Sequence, residues 1–567
     1  MAQDGRSQTR ITASRTLVCA LAAVAASACG RASGDADPGA SFSGVTAIEV
    51  LDGQGASMGS VAFTVSCGEE ASAEMRLGLA LLHNMTYTEA ESAFARATEM
   101  QPDCALAYWG QAMTYVHPLW PDVPSAASLD RGWELLQEAR QAGLQTEREE
   151  AYVAALEGYY RDAASRDEPT RLAGYADGWA ALSAGHPDDP EAALFTALSM
   201  VATAPASDPT MQRQRDAGAI AEQVLEAIPD HPGAHHYIIH AFDSPLLSDR
   251  ALAVARSYGE VAPENSHALH MTSHIFTREG LWEESIEYNE RAAAIALGEP
   301  IAGQTSHHLL HALDYLAYAH LQRGADDLAW AVLDRVNTLD GPVVNNAASA
   351  YGFAAVRARI ALERGRWEDA AALTPREPAM IPWDTYPHIE AIPVFARALG
   401  FAHTGDLESA RRSVARLGEL RSHAESVPGN YDWATQVEIQ QIGARAWIAY
   451  AQGRTDEAVS LMTEAAALEA TTQKNPVTPA EVLPAGELLG DMLMELERYE
   501  EAVVAYAAAL ERNRNRFNSL HGAGLAAELA GDRAIAADYY RRLLDVGGAS
   551  TTRRPVLERV EAYLGEG

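Results

Sequence analysis

Residues 74–102 read "EMRLGLALLHNMTYTEAESAFARATEMQP", with Gly78, Ala90, Phe94, Ala97 and Pro102 at offsets that return elsewhere in the chain. Near the C-terminus Gly490, Ala502 and Tyr506 recur as Gly524, Ala536 and Tyr540, each displaced by 34 residues. In mid-chain Ala251 and Pro263 keep the spacing of twelve that separates Ala90 from Pro102. Further turn signals occur at "REGLWEES", "QRGADDLA", "ERGRWEDA", "HTGDLESA" and "AQGRTDEA". In each, Gly is followed five residues later by a small residue: Ser285, Ala329, Ala370, Ala410 and Ala458. From about residue 70 onward nearly the whole chain follows a helical pattern, so the expectation is an array of short helical units.

These offsets resemble the tetratricopeptide repeat. In that repeat two helices pack through small residues and a proline ends the second. The resemblance covers roughly residues 70 to 550 and implies an all-α solenoid of antiparallel helix pairs. The stretches "DCALAYWGQAMTYVHPLW", "HHYIIHAFD" and "HALHMTSHIFTREGLWEESI" also resemble a family of exported bacterial tetratricopeptide-repeat proteins, which implies compartment more than activity.

The N-terminus supports export. Arg6, Arg10 and Arg15 precede the apolar run "LVCALAAVAASA" at residues 17–28. A run of that length is too short to span a bilayer, which needs roughly 20 residues. It closes on "ASACG". Ala26 and Ala28 suit an ordinary signal-peptidase cut before Cys29, and the stretch also resembles a bacterial lipoprotein signal with Cys29 as the lipidated residue. Its departure is Ala26, where that motif usually has Leu. The expected order is therefore a signal peptide (1–28), a lipidated cysteine and flexible tether (29–44), and a short β-hairpin (45–69). An N-terminal repeat array (70–373), a Pro-rich connecting loop (374–393) and a C-terminal repeat array (394–567) follow. The expected location is a bacterial cell envelope, held to its membrane only by the lipid. With Cys19 lost and Cys29 lipidated, Cys67 and Cys104 remain. An oxidising compartment favours their pairing, and two separately buried thiols are the alternative.

The chain has 567 residues and a formal charge of −35, from 43 Lys and Arg against 78 Asp and Glu. That balance repels phosphate backbones and excludes nucleic acid as the expected partner. Gly53, Gly55 and Gly59 precede a strand-like "SVAFTV" rather than a helix, so they read as a turn and not a phosphate loop. No HExxH sequence is present, so a thermolysin-like protease is not expected.

Histidine supplies the main functional signal. Nine of the 18 histidines fall between residues 235 and 311. His236 and His240 are four apart, and His270 and His274 are four apart one repeat later, which places each pair on one helical face. In tetratricopeptide arrays such first-helix positions line the concave groove. His236, His240, His270 and His274 form the expected inner set, with His267, His311 and Asp314 around them. Imidazoles at i and i+4 can share a metal ion, and packed helices about 8–10 Å apart can complete its shell, so zinc or copper is the expected cofactor. The alternatives are a metal-free groove for a partner protein, peptide or small ligand, and purely structural histidines; a zinc- or copper-dependent enzyme is the reading from another class. Tyr318, Trp109 and His117 are candidate groove residues.

Overall fold

The computed structural model describes residues 42, 44–120, 123–205, 208–429, 431–548 and 552–565. The expected signal peptide and Cys29 lie outside them. Twenty-five α-helices run in sequence from Glu69 to Gly565 among the described residues, preceded by one strand pair. The strands are β1 (Ile48–Leu51) and β2 (Ser57–Val61), antiparallel, with Ile48 opposite Val61 and Leu51 opposite Ser57. Asp52 Oδ1 accepts from the Gln54 and Ala56 amides and closes the turn. Gly55 sits there at φ +87°, a left-handed conformation that favours glycine. A disulfide joins Cys67 to Cys104 across a Cα–Cα distance of 5.2 Å. It ties the end of the hairpin segment to the start of the second helix pair.

The repeated glycines have a packing role. A Cβ on Gly78 would lie 2.6 Å from the Phe94 ring, and one on Gly110 would lie 2.4 Å from the same ring. Gly490 and Gly522 flank Tyr506 in the same way, at 2.6 and 2.4 Å. Each aromatic side chain on a second helix is thus clamped between two first helices that lack a side chain at the contact. Ala90, Ala97, Ala502 and Ala536 are buried beside these contacts, so successive helices pack close and the pairs stack into a solenoid.

The Pro-rich connection is shorter than its sequence suggests. A helix, Pro387–Thr404, starts inside it and holds Pro393 in its interior. Proline at the first helical position costs nothing, since that amide has no helical partner. Pro393 does forgo a backbone bond, but Ile389, Ile392, Phe395 and Leu399 are buried by the same helix, and that burial outweighs one missing bond.

The array closes back on itself. Trp282 Nε1 donates to the Asn515 carbonyl at 3.0 Å, and the Phe517 amide donates to Gln322 Oε1 at 3.0 Å. The buried Arg516 bridges Glu487 and Glu363 at 2.7 and 2.6 Å. From the other end, the Ser60 amide donates to the Asp230 carbonyl at 3.0 Å, and Tyr258 Oη donates to Asn84 Oδ1 at 2.7 Å. Both ends of the solenoid therefore meet its middle, where the histidines lie.

Candidate metal centre

Three consecutive first helices carry the site: Pro232–Phe242, Ser266–Glu279 and His307–Gln322. Each begins with a side-chain cap, from His231, Asn265 and Ser306 respectively, so the repeat register is fixed at each helix start. Six histidines gather as two threes. His236, His240 and His267 place one ligand atom each within 4.8 Å of one another, and His270, His274 and His311 do the same. The expectation of an open concave groove is not met, because five of the six are buried and His240 is partly so. Residues from two distant segments also reach the histidines. Leu119 and Trp120 on one side, and Pro476 and Val477 on the other, line a cavity of about 20 Å³ with His240, His267, His274 and His311. That space suits one water-sized group.

The hydrogen bonds fix which nitrogens face each other. Asn289 Nδ2 donates to the Ser285 carbonyl at 2.7 Å, which leaves Asn289 Oδ1 to accept from His270 Nδ1 at 2.8 Å. His274 Nδ1 donates to the Asp243 carboxylate at 3.0 Å. Both imidazoles are thereby held in the tautomer with a bare Nε2, and these two Nε2 atoms are 3.1 Å apart. Two neutral acceptors at that distance repel unless a proton or a cation lies between them. Nitrogens bound tetrahedrally to one zinc, at about 2.0–2.1 Å each, stand roughly 3.3 Å apart, so the spacing fits a shared ion. In the other three, His236 Nδ1 donates to the His83 carbonyl at 2.6 Å, and its Nε2 meets His240 Nε2 at 3.1 Å. Neither ring nitrogen of His267 has a hydrogen-bond partner, although the residue is only 2 % exposed.

Burial keeps these rings neutral. It lowers His236 to about 3 and takes His240, His267, His270 and His311 well below the ordinary value, with neighbouring histidines adding to the effect. Burial lowers His274 too, against the opposing pull of Asp243. Asp243 is itself buried, which works against its charge. Lys474 Nζ at 2.7 Å and Arg278 Nε at 2.8 Å outweigh that and hold it ionised. Imidazole donating Nδ1–H to a carboxylate, amide or backbone carbonyl while presenting Nε2 is the usual orientation of a metal-ligating histidine.

A third cluster, His83, Glu191 and His231, differs. His83 Nε2 donates to Glu191 Oε2 at 2.7 Å, and Tyr237 Oη donates to His83 Nδ1 at 2.9 Å. His231 Nδ1 accepts from the Gly233 and Ala234 amides at 3.1 and 3.4 Å, so its Nε2 donates to Glu191 Oε1 at 3.1 Å. Every nitrogen is used, and the set is closed without an ion.

The remaining sequence candidates fall elsewhere. Asp314 does not join the histidines; its Oδ1 accepts from the buried Arg359 Nε at 3.0 Å. Tyr318 lies beside Arg516, 3.4 Å from its guanidinium. Trp109 is a core residue, packed on Phe63, Tyr152, Trp179 and Phe195. His117 stacks on Tyr87 with ring centroids 4.0 Å apart and lines a second pocket of about 540 Å³, together with Trp120, His307, Tyr386 and Trp433. Sequence reasoning missed Asp243, Asn289 and Lys474. Lys474 did leave a signal: it is the single lysine of the chain, and it is buried on the carboxylate behind His274.

A tetratricopeptide-repeat family model matches residues 487–516, over the helices Ala485–Glu495 and Tyr499–Arg512. The chain thus carries a tetratricopeptide repeat at those residues. No curated protein matches its sequence. Among solved structures, it is similar to yeast Tom70, at 12 % identity with 82 % of this chain and 96 % of that one covered and a TM-score of 0.35. It is also similar to a human IFIT1 dimer with PPP-AAAA, at 13 % identity with 86 % and 96 % covered and a TM-score of 0.36.

Proposed function

We propose that this chain is an envelope-anchored tetratricopeptide-repeat lipoprotein that holds a transition-metal ion in a buried histidine chamber. The observation that carries the metal reading is the pair of bare Nε2 atoms of His270 and His274, oriented toward each other by Asn289 and Asp243. An all-imidazole donor set of neutral nitrogens suits zinc or copper over calcium or magnesium. The disulfide accords with an oxidising compartment, and "ASACG" followed by a Gly/Ser-rich tether supports anchoring at Cys29. Solenoids of this kind present extended surfaces to protein partners, and the outer faces of the array remain available for one.

Two experiments test this reading. Elemental analysis of protein reconstituted with zinc or copper(I) and then desalted is expected to give stoichiometric metal; none with either ion removes the metal reading. Cys29→Ala is expected to move the protein from the membrane to the soluble envelope fraction, and unchanged membrane retention removes the anchor.

A second reading, a metalloenzyme, is favoured by the pocket beside the chamber. Met85 and Trp120 line both cavities. Several aromatic and imidazole rings line the larger one, and Glu89 is the one carboxylate among its described lining residues, a setting for an uncharged aromatic molecule next to the metal. Turnover of such a compound by loaded protein, lost in His274→Ala, distinguishes this reading from simple metal storage.

A further inference from the structure

Building on the metal reading, which treats the chamber as one site, we propose that the chamber holds two metal ions, one on His236, His240 and His267 and the other on His270, His274 and His311. Six imidazoles exceed what one tetrahedral zinc or copper ion takes, which is four ligands at most. They do not converge on one point but gather as two threes, each with its donor atoms within 4.8 Å. Between the threes, the ring centroids of His240 and His274 are 6.3 Å apart, and those of His267 and His270 are 6.4 Å apart.

Each three also has its own orienting groups. The His83 carbonyl sets His236, whereas Asn289 and Asp243 set His270 and His274. One ion in the second three would leave His267 of the first with both nitrogens buried and unpartnered. The small cavity is lined by His240 and His267 from one three and by His274 and His311 from the other. A water or hydroxide in that cavity would lie among imidazoles of both threes and would supply a fourth ligand there. Three protein nitrogens and one exchangeable oxygen on an ion is the pattern of an open, reactive metal site rather than a closed structural one.

The histidines divide unevenly over the helices. The Ser266–Glu279 helix serves both threes, with His267 facing one and His270 and His274 the other. Substitutions can therefore empty one three while leaving the other intact.

The test uses the full mature chain loaded with zinc, and separately with copper(I) under anaerobic conditions. Metal is counted by elemental analysis and located by anomalous diffraction at each metal's edge. The expected result is two ions per chain and two anomalous peaks, one in each three. His236→Asn with His267→Asn, and His270→Asn with His311→Asn, are each expected to leave one ion. Retention of the helical circular dichroism signal and of the Cys67–Cys104 disulfide reports on folding. Where a double variant does not fold, the wild-type anomalous map decides the question. One ion and one peak in wild-type protein, with either metal, overturns the pair and leaves the single-site reading standing. No bound metal overturns both.

Discussion

Two buried histidine clusters lie close together in this molecule, and they do opposite things with the same side chain. In the His83–Glu191–His231 cluster a carboxylate sits between two imidazoles and accepts from both. Each ring's other nitrogen is taken by Tyr237 or by helix-cap amides. In the His270–His274–His311 cluster the carboxylate stands behind the ring, on Nδ1, and pushes the lone pair of Nε2 into the chamber. The first arrangement completes a core; the second leaves an electron-rich hole. A count of histidines does not separate the two, whereas placing the ring protons does.

The largest effect expected from this contrast is loss of metal. His270→Ala with His274→Ala should abolish binding in the second three altogether, while His231→Asn should leave the metal content unchanged. Metal content after desalting checks both.

Stability should respond the other way round. Glu191→Ala strips the partner from two buried imidazoles and from the Ala62 amide. It is expected to cost about 3–5 kcal/mol, the scale for breaking a buried charged network, with metal stoichiometry kept in whatever fraction remains folded. Denaturant unfolding of the metal-free protein measures it.

Asp243→Asn keeps the shape but weakens the acceptor behind His274. Metal affinity should fall about 10–100-fold, the usual range for an orienting partner, as read by competition with a chelator. The equivalent change at Asp314, held by Arg359 away from the chamber, should lower affinity less than Asp243→Asn does.

Acid should weaken the metal-free fold through histidines that belong to neither cluster. His388 is 5 % exposed, has no hydrogen-bond partner on either nitrogen and is lowered by burial to about 3. A histidine lowered in the folded state binds its proton more readily when unfolded. Its contribution is full above the unfolded value near 6.5 and is lost as the pH falls from there toward about 3. By pH 5 the loss from His388 is about 2 kcal/mol at most. His403 and His521, lowered by burial to about 4, act in the same direction. Melting temperature against pH in the His388→Phe variant, compared with wild type, isolates the largest of these.

Much of the fold was legible because its determinants are local and repeated. Gly78, Phe94 and Gly110 report one contact, and Gly490, Tyr506 and Gly522 report it again. The i, i+4 pairs 236/240 and 270/274 were legible for the same reason. Asp243 and Lys474 were not, because they lie 231 residues apart in sequence and meet only when the solenoid closes. Asp314 misled because its repeat position matches that of a ligand, while its partner Arg359 comes from a later helix. Pro393 misled because local backbone preference yields there to burial of Ile389, Ile392 and Phe395.

Lone pairs face each other in the chamber and not around Glu191, and the metal reading stands or falls with that difference. Zinc titration of the unmutated protein, selectively labelled at histidine and followed by ring-nitrogen NMR, tests it most directly. Zinc is expected to move the Nε2 resonances of His270 and His274, together with signals of His236, His240, His267 and His311, and to leave His83 and His231 in place. Zinc that shifts His83 and His231, or that leaves His270 and His274 unmoved, contradicts it.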